Sequence, residues 1–147
     1  MGEATKIRGM VENWIQGFGL DVGCGEDKIA DNALGLDCRN LACVTICKKL
    51  DDLSLFGDGQ FDFVFSSHFL EHIKNPTAML SEMKRVLKKD GRIILYLPNP
   101  DKYKENNPEH MHLWRPTEFK KIIKNRFKQI KFDDKSFDYS YLYVGRK

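Results

Sequence analysis

The tightest constraint on what this chain can fold into is the spacing inside LDVGCGEDKIADNALGLD, Leu20 to Asp37. An apolar run that reads as a strand enters a turn carrying Gly23 and Gly25, and a second short apolar run, ALGLD, ends at Asp37. Eleven residues, Glu26 to Leu36, separate Gly25 from Asp37, and with ALGLD as a strand only the seven of EDKIADN remain for the connection. Seven residues hold at most one or two helical turns. Parallel neighbours are normally joined by a dozen or more residues. The spacing therefore predicts that the first crossover helix is reduced to a turn, and CRNLACVTICKK leaves the second equally short.

Around this unit the apolar pattern alternates between two kinds of segment. FGLDV (18–22), ALGLD (33–37), ACVTI (42–46), FDFVFSS (61–67) and GRIILYL (91–97) are short, continuous and bounded by turn residues, as strands buried on both faces are. FKQIKFDD and DYSYLYVG alternate more clearly and lie close together, which predicts an antiparallel pair at a sheet edge. From Asn75 to Lys89 the period becomes helical, with Met79, Leu80, Met83, Val86 and Leu87 on one face, Asn75 as N-cap and Pro76 at the first helical position. PTEFKKIIKNRF repeats the pattern through Phe119, Ile122, Ile123 and Phe127, with Thr117 as its expected cap; Lys6 to Gln16 is weakly helical, anchored by Trp14 and Ile15. Strands alternating with helices predict an α/β unit with a largely parallel seven-stranded sheet, and 147 residues without a linker or repeat read as one domain over 1–147.

Ligands of such sheets bind beyond the carboxyl ends of the strands. The residues there are Asp21, Gly23, Cys24 and Gly25 at and just after the end of the first strand, Asp37 and Cys38 at and just after the end of the second, Asp51, Asp52 and Leu53 after the third, and Ser66, Ser67 and His68 at the end of the fourth. Glycines let the backbone turn sharply, and amides after the turn can face polar groups. A carboxylate at Asp37 can accept both hydrogen bonds of a ribose diol. A dinucleotide fingerprint would need a third glycine where the chain has Lys28, which disfavours a nicotinamide-dependent oxidoreductase.

Other features narrow the class. No apolar run reaches the length of a membrane span and the N-terminus lacks the apolar stretch of a signal peptide, so a cytoplasmic protein is expected. Cys24, Cys38, Cys43 and Cys47 match no common zinc spacing and read as reduced thiols. The net charge of +3 is uneven: from Arg115 onward ten Lys or Arg face four Asp or Glu. That excess would allow an anionic acceptor, while nucleic-acid binding is the weaker reading because the interleaved apolar residues have helical spacing.

LDVGCG, then GLD, then LFGDGQFDFVFSSHFLEH, then MLSEMKRVLKKDGRIILYLPNP, followed by PEHMHLWRPTEF, together resemble a class I S-adenosylmethionine-dependent methyltransferase of the small-molecule type related to ubiquinone and menaquinone biosynthesis. The resemblance implies a Rossmann-like methyltransferase fold with shortened first crossover helices, S-adenosylmethionine as cofactor and S-adenosylhomocysteine as product. It implies that Asp21, Gly23 and Gly25 hold the methionine end, that Asp37 takes the ribose hydroxyls, that Asp51 or Asp52 with Leu53 meets the adenine, and that Ser66, Ser67 and His68 line the sulfonium pocket. No catalytic residue is assigned. The candidates are His110 and His112 in the loop from Pro98 to Pro116, with Trp114 and Tyr103 nearby. One would deprotonate a hydroxyl acceptor, or both would share a metal; lid packing, with the imidazoles bonded to backbone, Glu105 or Glu109, is the ordinary alternative, and no metal site is assigned. His72 reads as a packing or capping residue. The shortened crossover predicts a thinly covered sheet face, and with it either weaker cofactor affinity or a second copy or partner chain over that face, with Trp14 as another way to fill it. A catalytically weak or inactive S-adenosylmethionine-binding module acting with a partner chain is the alternative to a small-molecule methyltransferase.

Overall fold

The computed structural model describes residues 2–102, 104 and 106–147. Helix α1 (Glu3–Val11) precedes strands β1 (Gly19–Val22), β2 (Ala33–Asp37), β3 (Ile46–Cys47) and β4 (Phe61–Ser67). A 3-10 turn (Leu70–His72), α2 (Pro76–Val86), β5 (Leu87–Pro98), α3 (Pro116–Ile123), β6 (Lys128–Asp133) and β7 (Ser140–Arg146) follow. One seven-stranded sheet has the order β3-β2-β1-β4-β5-β7-β6. The pairs among β1 to β5 are parallel, and β7 runs antiparallel between β5 and the edge strand β6. The expected edge hairpin is therefore present, with β7 the member inserted against β5.

Both early crossovers lack a helix, as the spacing requires: residues 23–32 and 38–45 are turns and extended chain. A correction to the sequence reading follows from this. ACVTI was expected to be a strand, but only Ile46–Cys47 pairs with β2. Residues 41–44 form a turn closed by the Val44 N–H on the Leu41 carbonyl, because with no crossover helix these residues must carry the chain back. The strand expected over 91–97 begins instead at Leu87, and α2 stops at Val86. Leu87 is fully buried opposite Phe61, and a register shift follows before Arg92 pairs with Phe63. At α3 the N-cap is Arg115, not Thr117: Pro116 fits the first helical position, and the Glu118 carboxylate accepts the Arg115 N–H at 2.8 Å. Asn75 caps α2 as expected, accepting the Ala78 N–H at 3.1 Å.

On one face α2 and α3 bury Met79, Leu80, Met83, Phe119 and Ile123 against Leu20, Val64, Ile93 and Tyr143. The other face, expected to be thin, is covered from within the chain. There α1 and the residues after it place Ala4, Ile7, Val11 and Ile15 against Phe63, Phe65, Ile94 and Val144, and the short crossover adds Ile29; Trp14 packs at the margin. Asp27, from the same crossover, accepts the Thr5 N–H at 2.6 Å, the Thr5 hydroxyl at 3.0 Å and an Arg8 guanidinium nitrogen at 2.8 Å. Gly2 at the N-cap has no side chain to offer, so Asp27 satisfies a first-turn donor of α1 across the fold. The shortened crossover is thus bolted to the helix that replaces its missing cover.

Strand polarity also locates the charge. Lys128 and Arg146 pair with each other beside Arg92, at the amino-terminal edge of the parallel strands. That part of the basic excess lies opposite the edge where a ligand of such a sheet binds. No helix of the described residues is long and apolar enough to cross a membrane.

Candidate active site at the strand ends

β1 is flanked by β2 on one side and β4 on the other, so the strand order reverses there, and it is beyond the carboxyl ends at such a switch that ligands of open α/β sheets bind. The turn after β1 begins with Gly23 at φ 75° and reaches Gly25 at φ 56°. A Cβ on Gly23 would lie 2.6 Å from the Phe69 ring, so close approach as well as dihedral angle requires glycine. The amides expected to be free after the turn are already used. Gly23 and Cys24 donate to the Leu36 carbonyl at 2.7 and 3.2 Å, and the Gly25 N–H donates to Asp37 Oδ2 at 2.8 Å. With no helix after the turn, those donors close the β1–β2 connection instead.

Asp37 also accepts from Arg39 through its backbone N–H at 2.9 Å and its Nε at 3.1 Å. Burial pushes this carboxyl up, but the Arg39 and Gly25 hydrogen bonds outweigh it and leave the group below its ordinary range. The Arg39 side chain is 62% exposed, so a ligand hydroxyl can replace it without disturbing the core. Asp21 is enclosed. Its Oδ2 accepts the Ile29 N–H at 2.6 Å while Oδ1 has no hydrogen-bond partner among the described residues, and burial pushes its pKa up to about 8. Cys24 is buried with its thiol pushed up to about 12, again by burial, so it is an uncharged wall; Cys38 is exposed, and all four cysteines are free thiols.

The loop after β3 splits. Asp51 is exposed beside Lys49 at 3.6 Å, and Asp52 accepts the Ser54 N–H and hydroxyl in a local turn. Leu53 turns inward, fully buried in the core, with its N–H 3.3 Å from Glu82 Oε2. At the end of β4 the hydroxyls of Ser66 and Ser67 are buried with no hydrogen-bond partner among the described residues. His68 follows in the left-handed region at φ 47°, a costly conformation held by its surroundings. Its Nε2 shares a hydrogen bond with Ser140 Oγ at 2.9 Å and lies 3.9 Å from Glu3 on α1; its Nδ1 lies 3.6 Å from Glu71. Burial lowers its pKa to about 4, so the ring is neutral at physiological pH.

The two candidate histidines part company. The His110 ring sits 4.8 Å from that of His72, while His112 stacks on Trp114 at 5.3 Å and 4°. They therefore do not share a metal as a pair. The His72 Nδ1 lies 3.2 Å from the Glu109 carbonyl, so His72 ties the loop to the 3-10 turn as a packing residue would. The Met111 and His112 N–H groups reinforce this by donating to the Glu71 carbonyl at 2.8 and 3.1 Å. Tyr103 and Glu105 lie outside the described residues.

Sequence reasoning passed over Glu71, whose side chain is fully buried with neither carboxylate oxygen hydrogen-bonded to another of the described residues and whose pKa burial raises to about 8. The available signal was a carboxylate three positions after His68 in an apolar context. Glu3 and Asn99 were also missed. Glu3 sits on a helix read mainly for its apolar anchors, and Asn99 is buried at the end of β5, where its side chain accepts the Asp101 N–H.

A family model described as a methyltransferase domain matches residues 20–95. An uncharacterized protein of Methanocaldococcus jannaschii is 31% identical over 110 residues, 67% of this chain and 53% of its own length. A sterol 4-C-methyltransferase of Caenorhabditis elegans is 31% identical over 87 residues, 58% of this chain and 24% of its own. The chain thus spans about half the length of the first relative and about a quarter of the second. Among solved structures, the 1,6-didemethyltoxoflavin-N1-methyltransferase of Burkholderia thailandensis, crystallised with its substrate and S-adenosylhomocysteine, superposes with a TM-score of 0.75 at 12% identity. That match covers 98% of this chain and 77% of the other, and shows a shared fold.

Proposed function

Because the chain belongs to the methyltransferase-domain family, in its class I S-adenosylmethionine-dependent form, we propose that residues 1–147 act as one unit that binds S-adenosylmethionine across the ends of β1, β2 and β4 and passes its methyl group to a small-molecule acceptor. The observation that carries this reading is the set of buried polar atoms at the switch point left without hydrogen bonds among the described residues: Asp21 Oδ1, Ser66 Oγ and Ser67 Oγ. Such atoms are costly unless a ligand completes them. A ligand with an ammonium group and several hydroxyls suits that donor and acceptor set.

The cofactor, when bound, supplies a methyl group already activated by its sulfonium. The chain's own residues then have to bind, orient and exclude water. Asp37 is placed for the ribose diol once Arg39 swings out, and Asp21 for the methionine ammonium, whose charge would favour the ionised carboxylate that burial opposes. Asp51 or Asp52 borders the adenine, with Leu53 behind them as core. Ser66, Ser67 and the neutral His68 wall the methyl-transfer end. His112, in the loop before α3, offers a buried Nε2 that has no hydrogen-bond partner among the described residues, which suits a general base for a hydroxyl acceptor. An anionic acceptor draws no support from Lys128 and Arg146, which lie at the opposite edge.

Calorimetric titration with S-adenosylhomocysteine tests the reading. Saturable binding to the full chain is expected, at least about tenfold weaker in Asp37→Ala as charge-assisted hydrogen bonds are lost, with no binding of NAD. Equal affinity in Asp37→Ala, or preference for NAD, would overturn the assignment.

A further inference from the structure

Beside the proposed methyl-transfer edge, Glu71, His72 and His110 bring one potential ligand atom each to within 4.8 Å of one another. We propose that these three side chains form a binding site for a divalent transition-metal ion, held between the 3-10 turn and the loop that precedes α3. Two imidazoles and one carboxylate suit Zn²⁺, Mn²⁺, Fe²⁺ or Co²⁺, and three protein ligands leave a coordination position open.

The independent observation is Glu71. It is a carboxylate with no exposed surface, and among the described residues neither oxygen accepts a hydrogen bond from another residue. Its nearest cationisable neighbours are His68 Nδ1 at 3.6 Å and His72 Nε2 at 3.9 Å, both beyond hydrogen-bond distance. A buried carboxylate in that state lacks the partner such groups normally require, and a cation supplies it.

The surroundings have the form that metal ligands need. The His72 Nδ1 lies at the Glu109 carbonyl, 3.2 Å away, which selects the tautomer that leaves the Nε2 lone pair facing Glu71. The Glu71 backbone is clamped in turn, since its carbonyl accepts from Met111 and His112. His72 and His110 are half-buried, so an ion can enter from the loop side. Ligand atoms around a tetrahedral ion stand about 3.4 Å apart, from metal–ligand distances near 2.1 Å. Small rotations of the two rings close the present separation. His112 is outside the set because it is stacked on Trp114.

The test is metal binding itself, read without methyl transfer, so its failure and that of the methyltransferase reading are separable. The full chain, stripped with chelator, is titrated with Co²⁺ and followed by visible ligand-field absorption. S-adenosylhomocysteine affinity and circular dichroism are measured on the same samples. One equivalent is expected to bind, with affinity falling at least about tenfold in both Glu71→Gln and His110→Ala. Cys38→Ser is expected to bind Co²⁺ as the wild type does. Absence of stoichiometric binding would overturn the proposal. So would binding unchanged in both folded variants, or binding lost with Cys38, which would assign the ion to thiols.

Discussion

Asp21 places a carboxyl where its charge is unwelcome, and the consequence can be measured. Burial raises its pKa from 3.8 to about 8, so between those values the folded chain holds a proton that the unfolded chain has released. Stability then falls as pH rises through that window, because there the native state binds more protons than the unfolded one. Asp21→Asn keeps an acceptor for the Ile29 N–H and removes the titration. Thermal melts from pH 5 to 8 are expected to show a flatter dependence in the variant, with Tm roughly 5 °C above wild type at pH 8. A parallel decline in both proteins would place the titration elsewhere. Legibility at this scale was uneven. Asp21, Asp37, Ser66 and Ser67 stand at strand ends visible as polar stops to apolar runs. Glu71 was hidden because its burial depends on the loop at 106–115, some forty positions further on, folding back over it.

The elements show what replaces a missing helix. The Gly23 turn works because its donors are satisfied by β2, and it tolerates no side chain. Gly23→Ala combines a positive φ with a 2.6 Å approach to Phe69. It is expected to cost about 2 kcal/mol in chemical denaturation, and to weaken S-adenosylhomocysteine binding as the turn shifts. The same measurement on Asn75→Ala should show a loss of about 1 kcal/mol from the α2 cap, with ligand affinity unchanged, since the lesion lies on the covering layer. If the two variants lost affinity alike, the turn would have no special place in the site. The α2 cap was readable because Asn-Pro is a local signal. The β3 boundary was not, because a two-residue strand is decided by its partner Leu36–Asp37 and not by its own apolar run.

For the molecule as a whole, stability of the second sheet face rests on α1. Ile7 has no exposed surface and packs in the cluster that includes Phe63, Phe65 and Val144. Ile7→Ala is expected to cost about 3 kcal/mol by leaving a cavity that the sheet cannot close, read as a shift of the denaturation midpoint with unchanged slope; a surface-like loss under about 0.5 kcal/mol would mean that α1 is not the effective cover. By itself the sequence determined most of the strands and helices to within their boundaries, the largely parallel sense of the sheet and the shortening of the first two crossovers, because hydrophobic period, caps and loop length are local quantities. Only the tertiary structure decided that α1 covers the exposed face with Asp27 completing its first turn, that the glycine-turn amides are spent on β2, and that Glu71 meets His72 and His110. Each of those depends on contacts between segments far apart in the chain, whose pairing is set by packing and burial and leaves no local trace.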